Sequence, residues 1–525
     1  MRFALFALLV VCAPLASAQS WPTTRAERTN YLETSHHADV LDFLRRLQLA
    51  GAPVSVQMMG KSAEGREMPL AIASFPPVAS PAEARRLGKP IVFVQANIHA
   101  GEVEGKEAIQ AVLRRLCQAG PSGLLGKIVL LVAPIYNADG NEKWGPVEKN
   151  RPEQDGPPIV GVRANGQGFD LNRDAIKAEA HETQGLLRFV YSTWDPDVMM
   201  DLHTTDGTRH GYALTYSPPL NPNTDSAVMK MTRDVILPTI RKASVRPLFD
   251  YGNAERRGEI QSWYTFGSEG RYCTNYAGLR NRIAILSEAT TYIPFKERVE
   301  DTDRFVMSTL EWVASHARRV METTRGADAR VVAWGMDPSK APALGVRFDF
   351  ASRGSEEVLL EKAGEKKPIT QRPTQIQKVR MEVYDRFKVT KTSKFPAAYL
   401  IPGSEEKAVA LLRSHGIVVE KLLAPWQGAA EEFVVGEFKQ AARPFQGHRL
   451  IELNGAFRGA NASASAGAYL VRTAQPLGIL AFHLLEPESL DGVAAWGFLG
   501  ESFAVGSVFP VVKLFSGPKV PTERT

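Results

Sequence analysis

The sequence predicts an α/β fold in which a mostly parallel mixed sheet is flanked by helices. In the first three hundred of the 525 residues, short apolar segments alternate with segments whose apolar residues recur at helical spacing. Such alternation is typical of parallel strands connected by helices that cover both faces of a sheet. After about residue 325, short strand-like runs are separated by Gly, Pro and charged turns. These runs predict a smaller accessory region that is β-rich or α/β.

Each predicted element follows from its apolar pattern. Four short apolar segments bounded by turn residues are predicted to be strands of the main sheet. They are residues 91–96, 127–133, 198–202 and 282–286. The segments with helical spacing are residues 105–116, 181–194, 224–243 and 298–324. In the accessory region, strands are predicted at residues 330–334, 346–350, 358–360, 397–401, 417–421, 468–471 and 509–513, with a helix at residues 405–416.

The N-terminus has the composition of a secretory signal peptide. Met1-Arg2 is a short basic start, residues 3–15 are apolar, and Ala16-Ser17-Ala18 supplies the small residues of a cleavage site. We therefore predict that residues 1–18 are removed and that the protein is secreted or periplasmic. The rest is predicted to divide into a main domain at residues 19–325 and a C-terminal accessory region of unknown role at residues 326–525.

Charge and composition argue against two other classes of protein. The formal net charge of +6 is modest for this length, and its basic residues are scattered without a nucleic-acid-binding motif. Beyond the N-terminus, no run of about 20 apolar residues offers a stable membrane span. After removal of the signal, Cys117 and Cys273 remain, which is too few for a disulfide framework and leaves a single bridge open.

His99 and Glu102 lie in the turn that follows the predicted strand 91–96. A catalytic zinc ion takes three protein ligands, commonly two His and one Glu, and keeps a fourth position for water. A turn held by a rigid strand is well suited to supply two of these ligands. A lone HxxE match is weak evidence, because such pairs occur by chance, and its weight comes from the rest of the chain.

His203 follows the apolar strand 198–202 in a similar way. Ligands of open parallel sheets bind beyond the carboxyl ends of the strands, so two strands that end in His can deliver three ligands to one point. The alternative is a loop histidine that is hydrogen-bonded to Asp201 or Asp206. Asp201 also has a plausible role as an acceptor that orients the ring of a metal ligand.

Glu288 lies at the end of the third strand, 282–286. A buried carboxylate in such a place is costly unless it has a partner or a task. Beside zinc-bound water it has a task, because it can take the proton of the water and return it to a leaving amine. The alternative is a structural ion pair with Arg282 or Arg298.

Asn172 and Arg173 belong to the motif Asp170-Leu-Asn-Arg173, which follows Arg163 closely. A neighbouring amide and guanidinium can bind a carboxylate, with Arg giving a bidentate contact. A further Arg close to a metal can stabilise the oxyanion that forms when water attacks a carbonyl group. The alternative is a polar turn in which Arg173 pairs with Asp170 or Asp174.

Together these segments resemble the zinc metallocarboxypeptidase family, the carboxypeptidase A-like enzymes, in a secreted bacterial-type form with a long C-terminal extension. The resemblance covers about residues 25–325 and follows the order of the family: HxxE, then NxDG at Asn137-Ala-Asp-Gly140, then DLNR, the second His and the Glu. The combination is far more specific than any of its members. It implies that the main domain is a catalytic domain with a carboxypeptidase-like sheet.

The resemblance also implies a role for each matched residue. It implies one Zn²⁺ ion, bound by His99, Glu102 and His203. Glu288 matches the general base of the family. Asn172 and Arg173 match the pair that holds the terminal carboxylate of the substrate.

Two further roles have more than one candidate residue. For the arginine that stabilises the transition state, the spacing before Asn172 favours Arg163 over Arg151. The family has a mobile tyrosine that caps the substrate, and it lies upstream of the general base. Tyr264, Tyr272 and Tyr276 all qualify for this role, and Tyr276 is preferred.

The resemblance implies a secreted zinc-dependent metallocarboxypeptidase that hydrolyses C-terminal peptide bonds, with peptide or protein C-termini as substrates. One alternative is a zinc amidohydrolase or deacylase similar to the aspartoacylase-like enzymes, which share the order of HxxE, a DLNR-like motif and His. Another is a carboxypeptidase that acts on the stem peptides of peptidoglycan. A non-catalytic peptide-binding protein would lack a ligand or the Glu, and all of them are intact here.

Overall fold

The computed structural model describes residues 20–257, 259–362, 373, 375–500 and 502–525. The predicted signal peptide at residues 1–18 lies outside the described residues. In the described chain, eight strands form the main sheet. In spatial order they are Val54–Lys61, Glu67–Ala73, Val129–Ala133, Ile91–Ala96, Val198–Thr204, Ile283–Ala289, Leu214–Ser217 and Leu248–Asp250.

The centre of this sheet is parallel. Each neighbouring pair from Val129–Ala133 through Ile91–Ala96 and Val198–Thr204 to Ile283–Ala289 runs in the same direction. Antiparallel pairs lie towards the edges, where Val54–Lys61 pairs with its neighbour along the chain. The predicted α/β fold with a mostly parallel mixed sheet is therefore confirmed.

Helices cover both faces of the sheet. Successive side chains of a strand point to opposite faces, so Val92 packs in one buried cluster and Phe93 in another. The helices beside the Val92 cluster are His37–Leu49, Glu104–Gln118, the continuous segments Ser226–Lys230, Met231–Ile236 and Leu237–Ala243, and Phe295–Ser315. Those beside the Phe93 cluster are Leu186–Trp194, which continues His181–Gly185, and Cys273–Leu279. Shorter helices are Arg25–Arg28, Pro81–Arg86, Ala138–Asn141 and Val147–Asn150.

One predicted helix is divided in the structure. Residues 298–324 fall in two helices, Phe295–Ser315 and Ala317–Met336, which are separated at His316. His316 leaves the helical region with φ −121° and ψ 24°, and its Nδ1 lies 2.8 Å from the backbone oxygen of Trp312. The ring therefore bonds the last turn of the first helix, and the chain changes direction there.

The prediction of a strand at residues 330–334 is wrong, because these residues belong to the helix Ala317–Met336. Ala327, Val331 and Gly335 recur every four residues and form the buried face of that helix. A β-carbon at position 335 would lie 2.1 Å from the backbone nitrogen of residue 474, so only glycine permits this close approach. Tertiary packing here outweighs the weak strand preference of the valines.

The C-terminal region is β-rich, as predicted. Seven of its described strands form an antiparallel sheet. In spatial order they are Ile451–Ala464, Trp426–Gln440, Val512–Leu514, Ala398–Ile401, Tyr469–Arg472, Glu420–Leu422 and Thr522–Arg524. Leu344–Ala351 pairs with Arg386–Ser393, while Ser355–Glu361 and Ile376–Tyr384 join the hairpin Asn253–Arg257 and Ile260–Tyr264. The helices of this region are Glu406–Ser414 and Gly478–Leu485.

The C-terminal region packs directly on the main sheet. Leu480 and Phe482, from the helix Gly478–Leu485, belong to the same buried cluster as Phe93 and Met199 of the central strands. Residue 325 lies inside the helix Ala317–Met336, which connects the two regions. The division into domains at this residue stays a prediction.

Two findings concern the cysteines and the membrane. Cys117 and Cys273 are both buried, and each is a free thiol. Within the described ranges, no helix has the length and apolar character that a bilayer crossing requires.

Candidate metal centre and substrate cleft

The ends of two neighbouring parallel strands bring His99, Glu102 and His203 together. His99 and Glu102 follow the strand Ile91–Ala96, and His203 lies near the end of Val198–Thr204. Asn97 adopts φ 64°, and its side-chain amide donates to the backbone oxygens of residues 100 and 102 at 3.2 Å. The amide thus holds the turn that presents both side chains to the neighbouring strand.

The three side chains converge on one point. The Nδ1 atom of His99 lies 2.9 Å from Oε1 of Glu102, and Nδ1 of His203 lies 3.0 Å from Oε2 of the same carboxylate. All three residues are buried, and their ligand atoms lie within 4.8 Å of one another. Two imidazoles and one carboxylate are the ligand set of many mononuclear zinc sites, so the arrangement fits one zinc ion.

A carboxylate lies behind each imidazole ring. The Nε2 atom of His99 lies 3.0 Å from Oδ1 of Asp170, and Nε2 of His203 lies 3.0 Å from Oδ2 of Asp201. An imidazole whose Nε2–H faces a carboxylate presents the lone pair of Nδ1 to a metal. This geometry agrees with the possible orienting role of Asp201. It also gives Asp170 an orienting role, where the sequence suggests only an ion pair with Arg173.

Asp170 contacts several parts of the site through one carboxylate. Its Oδ1 also accepts a hydrogen bond from the backbone N–H of Asn172 at 2.9 Å, and its Oδ2 accepts one from Nε of Arg163 at 3.0 Å. Burial opposes ionisation of this group, but the hydrogen bond from His99 and the charges of Arg163 and Arg173 hold the pKa of Asp170 far below its usual value. Asp170 is therefore an anion that fixes its cationic neighbours.

Glu288 lies on the strand Ile283–Ala289, directly opposite His203 in the parallel register. It is 8% exposed, and its carboxylate makes no hydrogen bond or ion pair with any residue that the structure describes. Arg282, one proposed partner, binds Asp195 and Asp328 instead, and Arg298 binds Glu104. The ion-pair alternative for Glu288 thus has no support in the geometry.

The environment of Glu288 disfavours its charge. Burial raises the pKa of this carboxyl to about 8, and the negative charges of Glu102 and Asp206 add to the effect while His203 opposes it. A dication held by the three ligands would act in the opposite direction and lower this pKa. Burial and a bound dication therefore act in opposite directions on the proton affinity of Glu288.

A cleft opens around this group of residues. Its lining side chains are His99, Glu102, Arg163, Asn172, Arg173, His203, Thr204, Asp206, Tyr251, Phe266, Tyr272, Thr274, Leu286 and Glu288. Seven of the eight residues predicted for the site therefore meet in one place. Sequence reasoning did not select Asp206, Tyr251 or Phe266, which come from loops with no recognisable spacing.

Asn172 and Arg173 are fixed at one side of the cleft. The side-chain oxygen of Asn172 accepts a hydrogen bond from the backbone N–H of Cys273 at 3.0 Å. The guanidinium of Arg173 lies over the ring of Tyr272, 4.6 Å from its centroid, and Nη1 donates to the backbone oxygen of Asn172 at 2.8 Å. Its Nε and Nη2 atoms have no hydrogen-bond partner among the described residues, which leaves them available to a ligand.

Two arginines approach Glu102, and they differ in exposure. Arg163 is 40% exposed at the side chain, lines the cleft, and has Nη1 3.6 Å from Oε1 of Glu102. Arg151 is 6% exposed, with Nη1 3.3 Å from the same oxygen and Nη2 directed to the backbone oxygens of Thr204 and Thr205. Arg151 is therefore engaged in holding the ligand loops, while Arg163 faces the space where a substrate would bind.

Tyr276 is the predicted site residue that the structure does not bring to the cleft. It is 1% exposed, its hydroxyl group accepts a hydrogen bond from Nη1 of Arg280, and it lies 2.8 Å from Nδ1 of His415. The expectation for Tyr276 is corrected by the start of a helix at Cys273, which places residue 276 on its inner face. Tyr272, immediately before that helix, is the candidate that lines the cleft.

The fold and the site together define an α/β metalloenzyme with a mononuclear zinc centre at the ends of parallel strands. Residues 40–267 match the family model described as Peptidase_M14, zinc carboxypeptidase. The predicted resemblance is confirmed over these residues, and the predictions of a metallocarboxypeptidase, which is a hydrolase, and of one zinc ion are confirmed at that level.

Similar proteins carry names of the same kind. Carboxypeptidase 2 of Trichophyton equinum is 24% identical over 518 residues, an alignment that covers 90% of this chain and 85% of the relative. Carboxypeptidase 2 of Trichophyton rubrum is 24% identical over 500 residues with the same coverage. Among solved structures, a putative carboxypeptidase A from Shewanella denitrificans has 18% identity and a TM-score of 0.41, covering 54% of this chain and 69% of the other.

Proposed function

We propose that this protein is a secreted zinc carboxypeptidase that hydrolyses the peptide bond before a free C-terminal residue. The observation that carries the proposal is the cleft itself. It combines the His99, Glu102 and His203 group, an unpartnered carboxylate at Glu288, and a guanidinium at Arg173 with free N–H groups. These are the parts that hydrolysis of an amide beside a terminal carboxylate requires.

Different residues of the cleft have different roles in hydrolysis. A zinc ion held by His99, Glu102 and His203 would supply Lewis acidity and lower the pKa of the attacking water. Glu288 accepts the proton of the attacking water and returns it to the nitrogen of the leaving residue. Arg163 donates to the carbonyl oxygen of the scissile bond, where negative charge develops. Asp170 keeps Arg163 and His99 in place for these steps.

The free carboxylate of the substrate is bound at the other side of the cleft. Arg173 offers two unused N–H groups, and a guanidinium binds a carboxylate by two parallel hydrogen bonds. Stacking on Tyr272 restricts the guanidinium to one plane and lowers the entropic cost of this contact. Asn172 adds its amide N–H groups, since its side-chain oxygen is already bound by residue 273. A substrate with a terminal amide lacks the negative charge that this pair requires.

The test of this function is mass spectrometry of matched peptides incubated with the purified full-length mature protein. One set has free C-termini and the other has the same sequences with C-terminal amides, each with and without a zinc chelator. We expect stepwise loss of C-terminal residues from the free acids alone, abolished by the chelator. Equal hydrolysis of the amides, or cleavage of N-acyl amino acids in preference to peptides, would contradict a carboxypeptidase and favour a deacylase.

Secretion rests on the N-terminal sequence, which has a basic start, an apolar stretch and the small residues 16–18. Edman sequencing or intact mass measurement of protein recovered from the medium or periplasm tests it. We expect the mature chain to begin at Gln19. Recovery of the uncleaved chain from the cytoplasm would contradict this part of the proposal without affecting the chemistry.

Replacing Arg173 by lysine should raise KM about 10- to 100-fold for free-acid peptides, because a bidentate charge-assisted contact is lost. The value of kcat should change much less, since the contact is present in both the bound substrate and the transition state. Steady-state kinetics on one peptide checks this expectation. Arg318→Lys, whose side chain is 90% exposed, is the matched control and should leave both constants unchanged.

Replacing Asp170 by asparagine should weaken zinc binding about 10- to 100-fold, the usual effect of removing a carboxylate behind a ligating imidazole. Asparagine keeps the size of the side chain but removes the charge that holds His99. Zinc affinity is measured by competition with a chromogenic chelator. An unchanged affinity would show that Asp170 does not orient the ligand.

The two tyrosines should respond differently to substitution. Tyr272→Leu removes the ring beneath Arg173 and should raise KM about fivefold, as expected for loss of a partly desolvated cation–π contact. Tyr276→Phe removes hydrogen bonds in the core and should lower stability by about 1 kcal/mol while kcat/KM changes less than about twofold. Kinetics and thermal unfolding of both variants distinguish a tyrosine that lines the cleft from one that is buried in the core. A large loss of kcat from Tyr276→Phe would restore Tyr276 as the capping residue.

A further inference from the structure

A β-hairpin of the C-terminal region reaches the loop that carries Asp170. The hairpin consists of the strands Trp426–Gln440 and Ile451–Ala464, and residues 441–450 between them are called the hairpin tip. The side-chain oxygen of Gln446 accepts a hydrogen bond from the backbone N–H of Asp170 at 2.9 Å. A residue 276 positions along the chain thus bonds the backbone of a residue that contacts a zinc ligand.

The hairpin tip has a second contact with the same loop. Nε2 of His448 lies 2.9 Å from both carboxylate oxygens of Glu179. The tip is closed on itself, because Phe445 and His448 exchange backbone hydrogen bonds of 2.7 and 3.0 Å. It therefore contacts the loop as a defined turn, with two points of attachment.

Gln446 lies in the tight turn of the hairpin tip, and the residue before it packs against aromatic and cationic side chains. Gln446 has φ 50°, in the left-handed region that glycine adopts more readily, and a glycine follows at position 447. Positive φ at two successive residues is typical of a two-residue hairpin turn. Here Phe445 packs against Trp496 with ring centroids 6.2 Å apart, and the guanidinium of Arg271 lies over the same phenyl ring.

Arg271 connects the hairpin tip to the cleft from the opposite side. It binds the buried carboxylate of Asp491 at 3.0 Å and precedes Tyr272, whose ring supports Arg173. The tip is thus fixed to the segment that forms one wall of the cleft, and it bonds the loop that forms another. The C-terminal region is in contact with both carboxylate-binding and metal-binding parts of the site.

We propose that Gln446 is a positioning residue of the zinc site. It holds the backbone of Asp170, and the carboxylate of Asp170 in turn fixes Nε2 of His99 and the guanidinium of Arg163. Gln446 contacts neither substrate nor metal, so it acts through Asp170 alone. The inference rests on the proposed function, since it requires zinc at the group that contains His99. It gives the C-terminal region a role in the reaction of the main domain.

The experiment measures the rate of zinc release from the full-length protein to a chromogenic chelator in excess. Gln446→Met keeps the length of the side chain and removes the acceptor. We expect it to accelerate zinc release roughly 3- to 10-fold, the range for one hydrogen bond, and to lower kcat by a similar factor with little change in KM. Arg449→Met is the matched control, because this exposed side chain in the hairpin tip makes no hydrogen bond or ion pair with the described residues. It should release zinc at the wild-type rate.

A double-mutant cycle separates positioning from a general loosening of the hairpin tip. If Gln446 acts through Asp170, then Gln446→Met should have no further effect on zinc release in an Asp170→Asn background. The same acceleration in both backgrounds would overturn the proposal, as would a Gln446→Met protein that releases zinc at the wild-type rate. Wild-type protein that binds no zinc would instead overturn the proposed function, so the two failures are distinguishable.

Discussion

Replacement of Glu288 by glutamine should leave one zinc ion bound and lower kcat about 1,000-fold, within the range attributed to general acid–base catalysis. Glutamine has the size of glutamate but cannot accept the proton of the attacking water. The carboxylate has no structural partner among the described residues, so its loss leaves no buried cation unpaired. Activity should therefore fall without a loss of stability. Kinetics, zinc analysis and thermal unfolding of the same preparation check the three parts of this prediction.

The matched control is Glu322→Gln, whose side chain is 68% exposed on the helix Ala317–Met336. It should have wild-type kcat and zinc content. A Glu288→Gln protein with zinc bound and near-normal turnover would remove Glu288 from the mechanism. Loss of zinc in that variant would instead indicate that the carboxylate is a ligand.

Removal of zinc should abolish turnover and also lower the thermal midpoint of unfolding. Glu102 is buried between two imidazoles, and a bound dication compensates for the close approach of these polar groups. With free zinc at about 1,000 times its Kd, binding adds about 4 kcal/mol to the folded state. Because the entropy of unfolding grows with chain length, a cooperative unit of about 500 residues should shift by roughly 4 °C. Calorimetry at defined free zinc concentrations measures it.

His203→Ala serves as the control for that measurement. This variant lacks one ligand, so the addition of zinc should shift its midpoint far less than that of the wild type. Turnover that survives exhaustive chelation would contradict a zinc-dependent reaction. An equal shift in both proteins would assign the stabilisation to zinc bound elsewhere.

The positions of the zinc ligands could be predicted because they follow strands with an unambiguous apolar pattern. The apolar pattern clearly predicts strands at residues 91–96 and 198–202. The carboxyl ends of neighbouring parallel strands meet at one edge of a sheet. The same argument predicts that Glu288 lies at the end of a third strand, and the structure places it opposite His203. Short-range sequence and one topological rule therefore suffice for these residues.

Asp170 shows what this kind of argument misses. Its carboxylate bonds His99, 71 residues away, and its backbone bonds Gln446, 276 residues away. Neither contact has a local signature, because the two partners meet only after the sheet and the C-terminal region have folded. Its position two residues before Asn172 was the one available signal. The motif could be recognised from the sequence, but the contacts that each of its side chains makes could not be predicted.

The preference for Tyr276 and the failure to predict the long hairpin have different reasons. The choice among three tyrosines depended on where a helix begins, and element boundaries are less certain from sequence than the elements themselves. The strands Trp426–Gln440 and Ile451–Ala464 contain Gly, Glu, Ala and Asn, residues that are depleted in strands. Pairing along their length and packing on the neighbouring strands stabilise them in spite of that composition.

The helix Gly478–Leu485 packs in the same buried cluster as the central strands of the main sheet. A gene fragment that ends near residue 325 would therefore encode a sheet with part of one apolar face uncovered. Such a face favours aggregation over solubility, because water must contact side chains that the full chain keeps dry. The smallest unit worth expressing, crystallising or engineering is consequently the whole mature chain. Directed evolution of the cleft should likewise treat both regions as one template.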